Sequence, residues 1–183
     1  AAATDMAKKL AAKDLLIYEK YQELKLTNKG NEMALNVVRK HRLWEAFLFK
    51  MFDMSLHEIH REAEFLEHAT SDLLANKIST YLGNPQFDPH GDPIPNAEGE
   101  ITTEDTSIAL SNTAEGQTYI IARLMSDDKD FFDFCANQGI KYGNKIKVSK
   151  QFEKNKMTEI SINNNTILLN QDFTNIIYVN ETN

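Results

Sequence analysis

The sequence predicts an α+β fold in three segments: a helix-and-hairpin front, a helical middle and a small β-barrel at the end. Three observations carry this. Residues 4–27 read as one helix followed by two short alternating strands. Residues 31–82 hold three helical patterns opened by Thr or Ser. Residues 117–179 consist mostly of short β-branched runs.

In the front segment, TDMAKKLAAKD (4–14) has helix-forming composition, with Met6 and Leu10 at i,i+4. LLIYEKYQELKLT (15–27) then alternates around a polar turn near Lys20–Gln22. Helix followed by hairpin is the second half of a winged helix-turn-helix, although any helix-plus-hairpin shares the local pattern. Thr27 can cap a long helix through 31–52 carrying Met33, Val37, Leu43, Phe47 and Met51. A second helix fits 55–69, where Ser55 and Glu58 have capping-box spacing, and a third fits 71–82 behind Ser71. GNPQFDPHGDPIPNAEGE (83–100) holds all four prolines and three of the seven glycines, which marks an ordered turn or linker.

Beyond it, strands are expected at 117–125, 144–152, 157–162, 165–170 and 175–179, with a tight turn at Asn163-Asn164. One short amphipathic helix, 129–138, interrupts them and ends at Gly139. The expected boundaries are a partial winged helix over 1–32, a helical domain over 33–97, a linker over 98–112 and the barrel over 113–183.

The 183 residues are 42% hydrophobic and 26% charged, which excludes a disordered or collagen-like chain. No apolar run approaches the roughly 20 residues of a membrane span. The single cysteine, Cys135, excludes an internal disulfide and a Cys-based zinc cluster, and fits a reducing, cytoplasmic setting. The chain begins AAATDM without an initiator Met or a signal-peptide pattern, so it is expected to start inside a larger protein. Its net charge is −7, but residues 1–40 carry +3, while 41–97 and 98–183 carry −5 each. That balance argues against non-specific nucleic-acid binding by the chain as a whole, and leaves room for a local DNA-reading surface.

All five histidines fall within residues 41–90. On a helix at about 100° per residue, His60, Glu64, Glu67 and His68 share an arc of about 100°. His41 and Glu45 form an i,i+4 pair on the preceding helix. So many imidazoles and carboxylates are costly to pack unless a cation neutralises them, which points to a divalent metal rather than a solvated charged face. HEIHR (57–61) is not a zincin helix, since Arg61 stands where the second His is needed, and His57 faces away from the ligand arc. A di-iron bundle is excluded because Glu64 lies four residues before His68 rather than three.

RKHRLWEAFL (39–48), HREAEFLEHATSD (60–72) and DPHGDPIP (88–95) resemble the metal-binding and dimerisation region of the diphtheria toxin repressor/manganese transport regulator family. TDMAKKLAAKDLL (4–16) and LKLTNKG (24–30) resemble the end of that family's winged helix. GIKYGNKIKV (139–148) and NTILLN (165–170) resemble its SH3-like, FeoA-type domain. The resemblance implies a primary metal site at Glu64, Glu67 and His68, with a further ligand from a first helix expected upstream of Ala1. The iron-sensing branch has Cys where this chain has Glu64, and carboxylate oxygen suits Mn²⁺. An ancillary site is implied at His41, Glu45 and His60, drawing also on Asp88, His90 and an acidic residue of the barrel. Asp128 is the choice there, with Asp127 and Asp130 close by. Phe131 stands near where the iron branch has a glutamine ligand, so that branch's full ancillary site is not reproduced.

The expected protein is therefore a homodimeric repressor of metal-uptake genes and not an enzyme. It would be activated by Mn²⁺ (alternatively Fe²⁺), with two ions per subunit, and would bind double-stranded operator DNA without membrane contact. Thr4 and Lys8 on the recognition helix and Tyr21 and Gln22 at the wing tip are the expected DNA contacts. A carboxylate-bridged metalloenzyme and a metal-storage domain without DNA binding are the alternatives.

Overall fold

Thr27 joins the two N-terminal parts of the chain. The computed structural model describes residues 2–19 and 22–182. Helix α1 (Ala2–Ala12) is followed by a two-stranded antiparallel sheet, β1 (Leu16–Ile17) and β2 (Lys25–Leu26), with Leu16 opposite Leu26. The Thr27 side chain accepts the Gly30 N–H at 2.9 Å and donates to the Asp14 carbonyl at 2.7 Å, so one hydroxyl opens α2 and ties it to the hairpin. Gly30 is required at this join, because a Cβ there would lie 1.9 Å from the Leu15 carbonyl oxygen.

The helical middle consists of α2 (Asn28–Phe52), α3 (Leu56–Glu67) and α4 (Asp72–Leu82). Ser55 and Glu58 form the expected capping box, and Ser71 caps α4 by accepting from the Leu74 N–H. Leu43 on α2 is fully buried against Ala75 and Ile78 of α4. On α3, Ile59 and Ala63 are likewise buried. Burying Ile59 and Ala63 sets the rotation of α3, and the same rotation turns His60 and Glu67 toward α2.

The C-terminal unit is a six-stranded antiparallel sheet ordered β3-β8-β4-β5-β6-β7. Its strands are β3 (Ile108–Ala109), β4 (Thr118–Leu124), β5 (Lys145–Phe152), β6 (Met157–Ile162), β7 (Asn165–Asn170) and β8 (Ile177–Glu181). Asn163 and Asn164 both have positive φ, 49° and 67°, as a two-residue turn between β6 and β7 requires. Alternating residues such as Ile146, Val148, Ile160, Leu169, Ile177 and Val179 fill the core beneath α5 (Lys129–Gln138). This mixed architecture is the α+β, SH3-like arrangement expected from the sequence.

Two features differ from expectation. A second short helix, α6 (Gln171–Ile176), precedes β8, opened by Asn170 accepting the Phe173 N–H and anchored by the buried Thr174. Within the stretch expected as linker, Ile108–Ala109 pairs with β8 and Leu110 is fully buried, so the sheet begins before residue 113.

The helical and sheet units meet through residues 88–92. The Leu124 N–H donates to the His90 carbonyl at 2.9 Å, which brings β4 directly over this loop. Gly91 makes the approach possible: its φ is +92°, and a Cβ would meet the Ala122 carbonyl oxygen at 1.9 Å. Arg123 Nε lies 2.6 Å from Asp92 Oδ1, and Arg123 Nη1 donates to Asp105 Oδ2 at 3.3 Å. These contacts fix the sheet unit beside the charged face of α2.

Candidate metal centre

α2 supplies His41 and Glu45 one turn apart, and α3 brings His60 and Glu67 against them. His41 Nδ1 is 2.7 Å from Glu67 Oε2, and His41 Nε2 is 3.0 Å from Glu45 Oε1. His60 Nδ1 is 3.0 Å from the same Glu45 oxygen and 3.2 Å from His41 Nε2. Three potential donor atoms therefore converge within about one ligand–ligand spacing of a coordination sphere. The second oxygen of Glu45 faces the other way, 3.6 Å from His90 Nδ1, and Asp88 Oδ1 is 3.9 Å from that nitrogen. Glu45, Asp88 and His90 are all buried, and one donor atom from each lies within 4.8 Å of the others. Glu45 is thus common to two triads, one on each side of its carboxylate.

Burial alone would raise the pKa of Glu45, but hydrogen bonds from His41 and His90 hold it well below the ordinary carboxylate range. Burial would lower both histidines, yet Glu45 outweighs it in each case, aided by Glu67 at His41, and both are raised above the usual imidazole value. Asp88 moves the opposite way, pushed up to about 7 by burial and by the neighbouring Glu45 charge. Its Oδ1 accepts the N–H groups of His90 and Asp92, while Oδ2 is buried with no hydrogen-bond partner and only Arg42 Nε nearby, at 3.8 Å. A buried, partnerless carboxylate oxygen beside imidazoles and a second carboxylate is the chemistry of a cation site. The donor set fits a divalent ion that favours oxygen and nitrogen.

The remaining sequence-predicted ligands lie at the rim. Glu64 is exposed, with Oε1 3.9 Å from His60 Nε2, and His68, the C-cap of α3, is exposed with Nε2 3.1 Å from Glu67 Oε1. Glu67 connects this rim to the buried cluster through His41. Asp128 is the one expected ligand that the fold uses otherwise: its Oδ1 accepts the Phe131 N–H at 2.7 Å and opens α5. Its neighbour Asp127 instead lines the cleft of about 590 Å³ that contains His41, Glu45, His60, Glu67 and His90. Arg42, Asp92 and Arg123 were not singled out from sequence, since isolated Arg and Asp residues carry no spacing signal.

Thr4 and Lys8 are exposed on α1, and Gln22 is exposed between β1 and β2 with its N–H donating to the Glu19 carbonyl. Tyr21 lies outside the described residues. Among the described residues, no helix is long and apolar enough to cross a membrane.

Residues 27–96 match the iron dependent repressor metal binding and dimerisation domain, and residues 108–181 match the FeoA domain. A solved manganese-dependent transcriptional repressor in complex with manganese superposes with a TM-score of 0.89 at 34% identity, covering 99% of this chain and 84% of that one. The chain belongs to the diphtheria toxin repressor family. This family is made up of metal-dependent transcriptional repressors rather than enzymes. ScaR with bound Cd²⁺ superposes with a TM-score of 0.80 at 33% identity, covering 99% of this chain and 84% of ScaR.

Among curated family members, the iron-dependent repressor IdeR of Mycobacterium leprae is 40% identical over 74 residues, 40% of this chain and 32% of IdeR. The diphtheria toxin repressor of Corynebacterium glutamicum is 25% identical over 137 residues, 69% of this chain and 60% of that protein. A probable metal transport system membrane protein of Chlamydia trachomatis shares 43% identity over 70 residues, which is 38% of this chain and only 16% of that protein. The chain therefore spans less than two thirds of the curated relatives it matches.

Proposed function

We propose that the protein is a homodimeric, manganese-responsive repressor that binds operator DNA upstream of metal-uptake genes. The observation that carries this is the composition of the cluster: carboxylate oxygens and imidazole nitrogens with no thiol. Cys135 is fully buried in the core between α5 and the sheet and belongs to neither triad, and burial pushes its thiol up to about 12. An oxygen-rich set favours Mn²⁺ over softer, later metals, and Glu64 stands where a thiolate would favour iron. Fe²⁺ is the second metal this set accepts.

This reading takes two ions per subunit. Glu64, Glu67 and His68 would hold one. His41, Glu45 and His60 would hold the other, with Asp88 and His90 completing its oxygen and nitrogen donors. The partial winged helix over 1–32, with Thr4, Lys8, Tyr21 and Gln22, would meet DNA. A bound cation neutralises the buried carboxylates, and by linkage it favours whichever arrangement of the helical and DNA-binding parts holds the ligands together.

Apolar side chains that α2, α3 and α4 leave exposed, among them Phe52, Phe65, Leu73 and Tyr81, are more than one protomer can cover and support a two-fold dimer through residues 33–82. The test is a mobility shift on upstream DNA of metal-uptake genes, with and without Mn²⁺. Mn²⁺-dependent retardation is expected; DNA binding that ignores saturating Mn²⁺ would overturn the reading.

A further inference from the structure

We propose that the outer face of β5 is a second DNA-backbone contact surface, separate from the winged helix. The inference rests on the repressor reading for the nature of its ligand. Residues 141–156 contain six lysines (Lys141, Lys145, Lys147, Lys150, Lys154 and Lys156) against one acid, Glu153, a balance of +5 in a chain of net −7. Apart from residues 1–40, this is the strongly positive stretch of the sequence.

The fold puts three of these lysines on one face of β5. Ile146 and Val148 point into the core, so Lys145 and Lys147 point outward. The register shift between Val148 and Lys150 inserts an extra residue into β5. It restores Lys150 to the outer face, where its Nζ sits 5.0 Å from the Phe152 ring centroid. Without that bulge, Lys150 would fall on the core face. All six lysines are exposed, and among the described residues none makes a salt bridge. Two acidic groups lie beside the strip: Glu159, opposite Lys150 on β6, and Glu115, which accepts the Gln151 N–H at 3.1 Å.

A row of exposed ammonium groups without salt-bridge partners makes a local positive potential that attracts a polyanion. The rest of the molecule is acidic, apart from the helix-and-hairpin front, which is positive as well. Both positive stretches of an acidic repressor suit a phosphate backbone, and the strip would add sequence-independent affinity to that of the recognition helix. The other candidate partner, an acidic face of a second copy, is an outcome of the test below.

The experiment uses the whole chain and a K145Q/K147Q/K150Q variant, titrated against a random-sequence 40-base-pair duplex by fluorescence anisotropy over a series of NaCl concentrations. Losing three phosphate contacts lowers the slope of log K against log salt by about 2.7, since each contributes about 0.9. A drop of about 2–3 with more than roughly tenfold weaker binding at 0.1 M salt supports the proposal. The substituted side chains are exposed, so the melting temperature and Mn²⁺ stoichiometry should not change. An unchanged slope overturns the proposal and leaves Mn²⁺-dependent operator binding standing. Absence of duplex binding by wild type at low salt also overturns it. An unchanged slope with a changed sedimentation mass assigns the strip to a protein partner instead. Loss of Mn²⁺-dependent operator retardation in wild type, with the salt slope intact, would remove the repressor reading and keep the strip.

Discussion

Replacing Asp88 by Asn should make the metal-free protein more stable and the metal-loaded protein less so. Asp88 is pushed up to about 7 from an ordinary value of 3.8 by burial and the adjacent Glu45 charge. The native state therefore holds a proton that the unfolded chain releases, and stability falls as pH rises from about 4 to 7. Three pKa units correspond to about 4 kcal/mol at pH 8. Asn keeps an acceptor for the His90 and Asp92 N–H groups but leaves a buried amide N–H unpaired beside Arg42, which costs about 1–2 kcal/mol. The net gain expected at pH 8 is about 2 kcal/mol, or roughly 4–8 °C in melting temperature for a chain of this size. Below pH 4 the carboxyl is neutral in both states, and the advantage should vanish. Thermal melts in chelator across pH 4–8, repeated with saturating Mn²⁺, check both halves. A variant that melts below wild type at pH 8 without metal, or one that takes up Mn²⁺ as tightly as wild type, would refute the reasoning.

Glu45→Gln should destabilise the metal-free protein by about 3–5 kcal/mol near pH 6, because it leaves the His41 and His90 imidazolium groups without their buried partner. Those histidines are raised, so their stabilising effect is full below about pH 6.5 and lost as pH climbs through their folded values; the cost of Glu45→Gln should shrink over that window. Glu64→Cys should shift metal activation toward Fe²⁺ or Co²⁺ in DNA-binding titrations, and activation of wild type by Fe²⁺ but not by saturating Mn²⁺ would contradict the assignment. Sedimentation of this chain should give a mass near twice 20.9 kDa; a monomer at tens of micromolar would count against the dimer.

Local signals in the sequence were sufficient for most of the architecture. Thr27, Ser55, Ser71 and Gly139 all sit at the helix ends where their side chains or conformational freedom place them. The Asn163-Asn164 pair is legible for the same reason, since few residues tolerate two successive positive φ values. What escaped is structure whose driving force is tertiary. β3 is two residues long and exists because β8 offers it a free edge, while α6 is one cap and one buried threonine. Asp128 shows how one residue type serves two chemistries: a carboxylate before a helix is equally suited to capping and to ligation. Only the three-dimensional path shows that the cap claims it and that Asp127 lines the cleft.

The site itself divides along the same line. Periodicity alone placed His60, Glu64, Glu67 and His68 on one arc and His41 with Glu45 on another, but it could not place the two arcs face to face. Burial of Leu43, Ile59 and Ala63 does that, because an apolar stripe driven into the helical core leaves the adjacent stripe at the interhelical cleft. The third contributor, the 88–92 loop, is held by contacts from a different domain: the Leu124 N–H on His90, the backbone approach that Gly91 permits, and Arg123 on Asp92. Glu45 is consequently surrounded by side chains from α2, α3 and a loop clamped by the sheet unit. Under the proposed reading, a cation drawn to Glu45 acts on all three at once. A bound cation would offset the Glu45 charge, which acts with burial to push Asp88 up. Asp88 accepts the Asp92 N–H, and Asp92 meets Arg123 at the seam between the helical domain and the sheet. Metal binding and domain docking would then be one equilibrium. In calorimetric titration with Mn²⁺, an Arg123→Ala variant, which loses no ligand atom, should bind the ancillary ion more weakly while the ion proposed at Glu64, Glu67 and His68 is unaffected. An unchanged titration would refute the coupling.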